Sequence, residues 1–252
     1  MEGRVEQLAW MAEEACMNAW PAPRQVLAGG WLLRAAGGPT RRTNSVNPLR
    51  GARDEPGRTI ASCEAIYAGL GRPAIFRIPA LAPDMDAPLA RLGYGADGES
   101  RTLFRDLAGL PAQADPAVEL RPAPGAAWLA ARAERDGGEP QAARAFLGMT
   151  EALVLPRAFA ALRHEGGIVA IAYAVLDRSL VVIESVATPE PLRGRGHARR
   201  VVGALMRWAH GQGAAGACLQ VVAENPAANA LYAALGFSTE LYRYHYRQRD
   251  IP

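Results

Sequence analysis

The stretch from Leu180 to Phe237 constrains the fold more than any other, because it switches between two hydrophobic periods and marks each switch with glycine or proline. Val181, Val182, Ile183, Ser185 and Val186 form a β-branched and small-residue run that Pro189 ends, which predicts a strand leading into a loop. A helix follows. Ala198, Val201, Val202, Leu205, Met206 and Ala209 recur at the spacing of one buried face, while Arg199, Arg200 and Arg207 lie largely off it. Ala217 to Ala223 reads as a second strand, and Asn225-Pro226 opens a short helix that Gly236 stops.

The junction before the first of these helices is Arg193-Gly194-Arg195-Gly196-His197-Ala198. First-turn amides have no partner inside a helix, so with the helix dipole they form a cradle for phosphate oxygens, and two glycines let the main chain approach a ligand. Arg193, Arg195 and Arg199 add positive charge there. The plain alternative is a tight turn. Gly-Lys-Ser/Thr of a P-loop is absent, and no second glycine-rich unit with a ribose-binding acid supports a dinucleotide fold.

Arg193-x-x-Gly196-x-Ala198 resembles the acyl-CoA pyrophosphate loop of the GNAT superfamily of N-acyltransferases. Asn225-x-x-Ala228-x-x-Leu231-Tyr232-x-x-x-Gly236-Phe237 resembles the second cofactor-binding motif of that superfamily, in the right order and with a strand before each. The resemblance implies an α/β (α+β) fold and an acetyltransferase that uses acetyl-CoA as cosubstrate, with no metal. It puts the cofactor contacts on Val186, Ala187, Thr188, Arg193, Gly194, Arg195, Gly196, His197, Ala198, Arg199, Asn225, Asn229 and Tyr232. In this family the strand ending near Thr188 splays from its neighbour, leaving main-chain groups of Val186 and Ala187 for the pantetheine arm and the carbonyl.

Direct transfer to an amine needs a neutral amine, a donor to the carbonyl and an acid for the leaving thiolate. Tyr232 is the candidate acid by its motif position, the alternative being a packing role beside Leu231 and Leu235. Glu184 is the candidate base, directly or through water, because it is the one acid in the apolar part of its strand; the alternative is an ion pair to an arginine on a neighbouring strand. His197 reads as a loop residue facing solvent, and His245 could act as a base only from a strand face lining the cleft. Arg34, Arg42 and Asn44 are either structural or placed to hold an acidic substrate.

Earlier in the chain the same order of elements recurs. A shift of 143 residues sets Ala74 on Ala217, Ile78 on Val221, Pro83 on Pro226, Ala87 on Ala230 and Leu92-Gly93-Tyr94 on Leu235-Gly236-Phe237; Ser45-Val46 meets Ser185-Val186 at 140. The first half lacks the glycine-rich loop, and Leu89 and Ala82 stand where the second half has Tyr232 and Asn225. Two GNAT-like units are therefore expected, each a mixed, mostly antiparallel sheet flanked by helices: a degenerate 1–112 and a catalytic 116–252, joined through the proline-bearing stretch Leu110 to Gly125. The first either walls part of the substrate cleft or is purely structural. Helices over 125–136 and 140–153, with Asp136-Gly137-Gly138 between them, Phe146 and Met149 would flank the acceptor site.

Composition narrows the function classes. All 28 basic residues are arginine, so Schiff-base chemistry and lysine self-acetylation are excluded, and a net charge of +3 spread among acids gives no nucleic-acid patch. Cys16, Cys63 and Cys218 lack both metal-ligand spacing and a disulfide framework, and no apolar run is long enough for a membrane. The N-terminal segment carries four glutamates, unlike a signal peptide, so a cytoplasmic protein, monomer or homodimer, is expected. Its expected substrate is a small-molecule primary amine, the rivals being a protein or peptide N-terminus and a non-catalytic CoA sensor.

Overall fold

The computed structural model describes residues 2–111, 113–135 and 137–249. Ala112 and Asp136, which close the first unit and the first acceptor-site helix in the sequence reading, lie outside them. The N-terminal half contains helix α1 (Glu2–Ala19), strands β1 (Arg24–Ala28), β2 (Trp31–Ala35) and β3 (Val46–Pro48), helix α2 (Pro56–Gly69), strand β4 (Phe76–Pro79), helix α3 (Asp86–Arg91) and strand β5 (Gly95–Asp106). The C-terminal half contains strand β6 (Val118–Arg121), helices α4 (Ala126–Arg135) and α5 (Pro140–Glu151), strands β7 (Arg157–His164), β8 (Gly167–Asp177) and β9 (Leu180–Ala187), helix α6 (His197–Gly211), strand β10 (Gly216–Val222), helix α7 (Pro226–Ala234) and strand β11 (Thr239–Gln248).

Arg41–Thr43 is a 3-10 turn, and β3 starts only at Val46. Asn44 is the reason, since its side-chain amide donates to the carbonyls of Gly38 and Thr40, both at 2.9 Å, while its oxygen accepts from the Ala36 amide. Arg34 also has a structural task. Its guanidinium donates to the Met17 and Trp20 carbonyls at the end of α1, and burial lowers its pKa to about 10.

All the strands join one 11-stranded sheet in the order β1-β2-β3-β4-β11-β5-β10-β9-β8-β7-β6. Most neighbours are antiparallel; β3–β4 and β9–β10 are the parallel pairs, one in each half. The halves exchange their last strands. β11, from the C-terminal half, lies between β4 and β5, and β5, from the N-terminal half, pairs along its length with β10.

Alternation along the strands sorts the second half into two cores. Ala170, Ala172 and Ala174 of β8, Val181 and Ile183 of β9, and Ala217 and Leu219 of β10 face α6 and α7. Ile171, Tyr173, Val175, Val182 and Cys218 face α1, α4 and α5, meeting Ala12, Cys16, Trp20, Trp128 and Phe146. The first helix of the chain thus covers the second half's strands. Its buried Glu13 accepts from both terminal nitrogens of Arg77 on β4 and from the Tyr242 hydroxyl on β11 at 2.5 Å.

The ends of α3 and α7 make matching hydrogen bonds. At the end of α3 the Gly93 and Tyr94 amides donate to the Ala90 and Leu89 carbonyls; at the end of α7 the Gly236 and Phe237 amides donate to those of Ala233 and Tyr232. Gly93 and Gly236 have φ of 82° and 83°, the left-handed conformation that ends a helix in this way.

Candidate active site

Strand β9 changes character after Ile183. Tyr173 faces Glu184 and Ile171 faces Ala187, so β9 carries one more residue than β8 between these pairs. The extra residue makes a bulge, and Ser185 takes a φ of 51° there, a conformation that costs a non-glycine residue roughly 1–3 kcal/mol. On its other side β9 pairs with β10 only as far as Val182 and Cys218, although both strands continue. The two parallel strands therefore part, and the facing main-chain groups beyond that point, including those of Val186 and Ala187, line the opening.

The turn before α6 sits at the mouth of this opening. Gly194 and Gly196 have φ of 76° and 79°, and Gly196 is the N-cap with no side chain satisfying the first-turn amides. A Cβ at either glycine would meet no atom within 4 Å, so the space over the turn is open. Arg193 and Arg195 donate to the Thr188 and Pro191 carbonyls, each at 3.4 Å, and keep exposed guanidiniums over the cradle. Arg199 lies on the exposed side of α6, in a groove of about 790 Å³ that Arg200 and Asp115 share. Three buried polar atoms here lack a protein partner among the described residues: Thr188 Oγ1, His197 Nδ1 and Gln220 Nε2. Such atoms fit a ligand that completes their hydrogen bonds.

Asn225 caps α7, its oxygen accepting from the Ala228 amide at 3.0 Å. Asn229 ties that helix to the end of β10, donating to the Val222, Ala223 and Asn225 carbonyls, and accepts from Arg101 on β5 at 2.7 Å. Both side chains serve the helix; what they aim is Tyr232, 8% exposed and edge-on to Phe237. Burial pushes the Tyr232 phenol up to about 12 with help from the Glu184 charge, while Arg135 and Arg42 oppose it. At neutral pH the phenol keeps its proton, the state a proton donor needs.

Glu184 points to the other face of the sheet. Both of its oxygens accept from Arg42, at 2.6 and 3.0 Å, and the residue is 4% exposed. It is not available as an unpaired base: the ion pair allowed as an alternative forms, though with an arginine from the 3-10 turn of the first half and not from a neighbouring strand. Arg42 in turn lies over the Trp20 ring at 4.3 Å. The pair borders a cavity of about 380 Å³ whose walls include Trp20, Arg42, Arg132, Arg135, Glu139 and Phe146. Arg132 donates to the Ser185 hydroxyl at the bulge, at 3.3 Å. Cradle and cavity thus lie on opposite faces of the sheet, with the parted strands between them.

A family model described as "Probable histone acetyltransferase Rv0428c C-terminal" matches residues 10–248. The chain belongs to this family of GNAT N-acetyltransferases. It is 27% identical over 240 residues to a Bacillus subtilis protein described as the uncharacterized N-acetyltransferase YobR, covering 93% of this chain and 96% of that one. Its fold is similar to that of a GCN5-related N-acetyltransferase from Kribbella flavida, with a TM-score of 0.69, 15% identity and coverage of 98% and 96% of the two chains. A tandem GNAT protein from the clavulanic acid biosynthesis pathway is similar at a TM-score of 0.65 and 15% identity, over 97% of this chain and 87% of that one. The chain is an acyl-CoA-dependent N-acetyltransferase.

Within this GNAT fold the first half has no counterpart of the cradle. Helix α2 stands where α6 stands in the second half, and its N-cap is Glu55, whose own carboxylate accepts from the Gly57 and Arg58 amides at 2.9 and 3.0 Å. Those bonds hold the Glu55 carboxyl below the usual range. The chain's anion takes the seat a phosphate would need. Leu89, at the position equivalent to Tyr232, is fully buried in the first half's core. His245 is bound to Asp86 at 2.8 Å, beside α3, and is not among the walls of the 380 Å³ cavity. Among the described residues no helix is long and apolar enough to cross a membrane, no group of side chains could hold a metal, and all three cysteines are free and buried.

The sequence did not single out Trp20, Arg132 or Arg135. Arg132 and Arg135 lie in a helix expected near the acceptor, which is the signal that could have found them; Trp20 reads only as a core residue of α1.

Proposed function

We propose that the enzyme moves an acetyl group from acetyl-CoA to the primary amine of a small molecule by direct attack, with residues 116–252 as the catalytic unit and 1–112 as a degenerate GNAT-like partner. The observation that carries this reading is the uncapped, solvent-open turn at Gly194 and Gly196, set next to two parallel strands that part. Acetyl-CoA supplies an activated acetyl thioester. The amides of 196–199 would hold its diphosphate, helped by Arg193, Arg195 and the helix dipole. Main-chain groups of Val186, Ala187 and Thr188 would hold the pantetheine and the carbonyl.

In this reading the amine enters from the face of the 380 Å³ cavity, a size suited to a small molecule. The N–C bond forms as the C–S bond breaks. Tyr232 gives its proton to the sulfur, and the surplus proton on nitrogen leaves through water. Glu184 acts as a fixed anion that orders Arg42. The buried, free cysteines support a cytoplasmic setting.

The test is release of free thiol from acetyl-CoA in the presence of an amine library and, separately, of histone and peptide acceptors. Turnover with a small amine supports the reading. Turnover confined to the protein arm would give the acceptor instead to the class that the family description names. CoA binding without any turnover would point to a sensor.

A further inference from the structure

We infer that the acyl acceptor carries a carboxylate beside its amine, and that Arg42, lent by the N-terminal half, receives that carboxylate in the cavity shared with Arg132 and Arg135. This rests on the reading of that cavity as the acceptor site. Among the described residues its walls carry the guanidiniums of Arg42, Arg132 and Arg135 and the carboxylate of Glu139, with Glu184 behind Arg42.

Arg42 is built as a receptor. A guanidinium has five N–H groups, and Glu184 takes one from each terminal nitrogen. The Trp20 face, 4.3 Å away, and the bidentate pair together fix its plane, so the remaining N–H groups meet a ligand with little rotational freedom left to lose. Glu184 is thus a positioning residue, and its charge partly offsets that of Arg42. Arg132 is fixed in a similar way, stacked over Phe146 at 4.7 Å and bonded to Ser185.

The same walls suit the other end of such a molecule. An amine must lose its proton before it attacks, and neighbouring positive charge favours the neutral form. Arg42 offers a diamine or polyamine no acceptor, whereas an amino acid meets its remaining N–H groups with one end and offers a nucleophile with the other. Arg132 reaches the bulge at Ser185, so the cavity adjoins the strands that part.

The experiment compares amino acids with their methyl esters, pair by pair, as acceptors for the purified full chain, by thiol release and by calorimetric titration. The acid of at least one pair should exceed its ester by about tenfold or more in kcat/KM, the scale of one charge-assisted hydrogen bond. Arg42→Gln should raise KM for that acid by about tenfold more than for its ester, with the thermal shift given by CoA retained. Because that change leaves Glu184 buried without its partner, the double variant Arg42→Gln/Glu184→Gln is measured alongside and should behave the same way. Esters that match or beat every acid, an acid KM unmoved in both variants, or no acid that binds by calorimetry would each overturn the proposal. Loss of the CoA thermal shift in the native protein would instead sink the transferase reading.

Discussion

Glu55 and Gly196 occupy equivalent N-caps in the two halves, and they do opposite things to the helix they begin. Glu55 fills the first turn of α2 with its own carboxylate; Gly196 leaves the first turn of α6 bare. The first half therefore already displays what a side chain does to the cradle. Gly196→Glu should reproduce it in the second half, adding a carboxylate where phosphate would bind and a Cβ at a φ of 79°. CoA at a hundredfold excess over its Kd should stabilise the native enzyme by about 2.7 kcal/mol and raise its melting temperature. The variant should show no rise.

Tyr232→Phe tests the proton donor. The ring packs on Phe237 and the helix-end hydrogen bonds at this residue use its main-chain carbonyl, so the fold and the CoA thermal shift should survive. Steady-state kcat should fall roughly 10²-fold or more, as for loss of one general acid. An unchanged kcat would return Tyr232 to a packing role.

The strand exchange makes a prediction about truncation. Residues 116–252 alone would leave β11 without either neighbour and β10 without β5, exposing the edge of β10. That fragment should be insoluble or lack cooperative unfolding by circular dichroism. Co-expression with 1–112 should rescue it.

Glu13 is fully buried and accepts from Arg77 and Tyr242, so it joins α1, β4 and β11 at one point. Glu13→Ala leaves the buried Arg77 charge uncompensated. The expected loss is about 3–5 kcal/mol in denaturant unfolding. Glu13→Gln should lose less.

Alkaline pH should unfold the protein. Burial pushes Tyr67 and Tyr232 up to about 12, against about 10 for a free tyrosine. A raised pKa means that the folded state resists ionisation, so this stability is intact below pH about 10 and is lost as pH rises toward about 12. Tyrosinate absorbance from these residues should therefore appear together with loss of circular dichroism. Titration of all tyrosines before any unfolding would contradict their burial.

What the sequence disclosed is what is local. The α6 turn and α7 were legible because glycines, caps and helical spacing lie within a few residues of one another. Strand β5 was not, since its middle is polar and its identity comes from pairing with β10 and β11 across more than a hundred residues. The Arg42–Glu184 pair spans 142 positions, and no periodicity in either segment points to the other. Glu184 stood out as an odd acid in an apolar strand; its partner could be found only in space.

The exchanged strands also set limits on what this chain can become. The N-terminal half supplies both flanks of β11, the final strand of the other half, and the helix α1 that roofs that half's core. Mutation can erase its surface chemistry but not its backbone. Neither half can be removed without stripping hydrogen-bonded neighbours from a strand of the other.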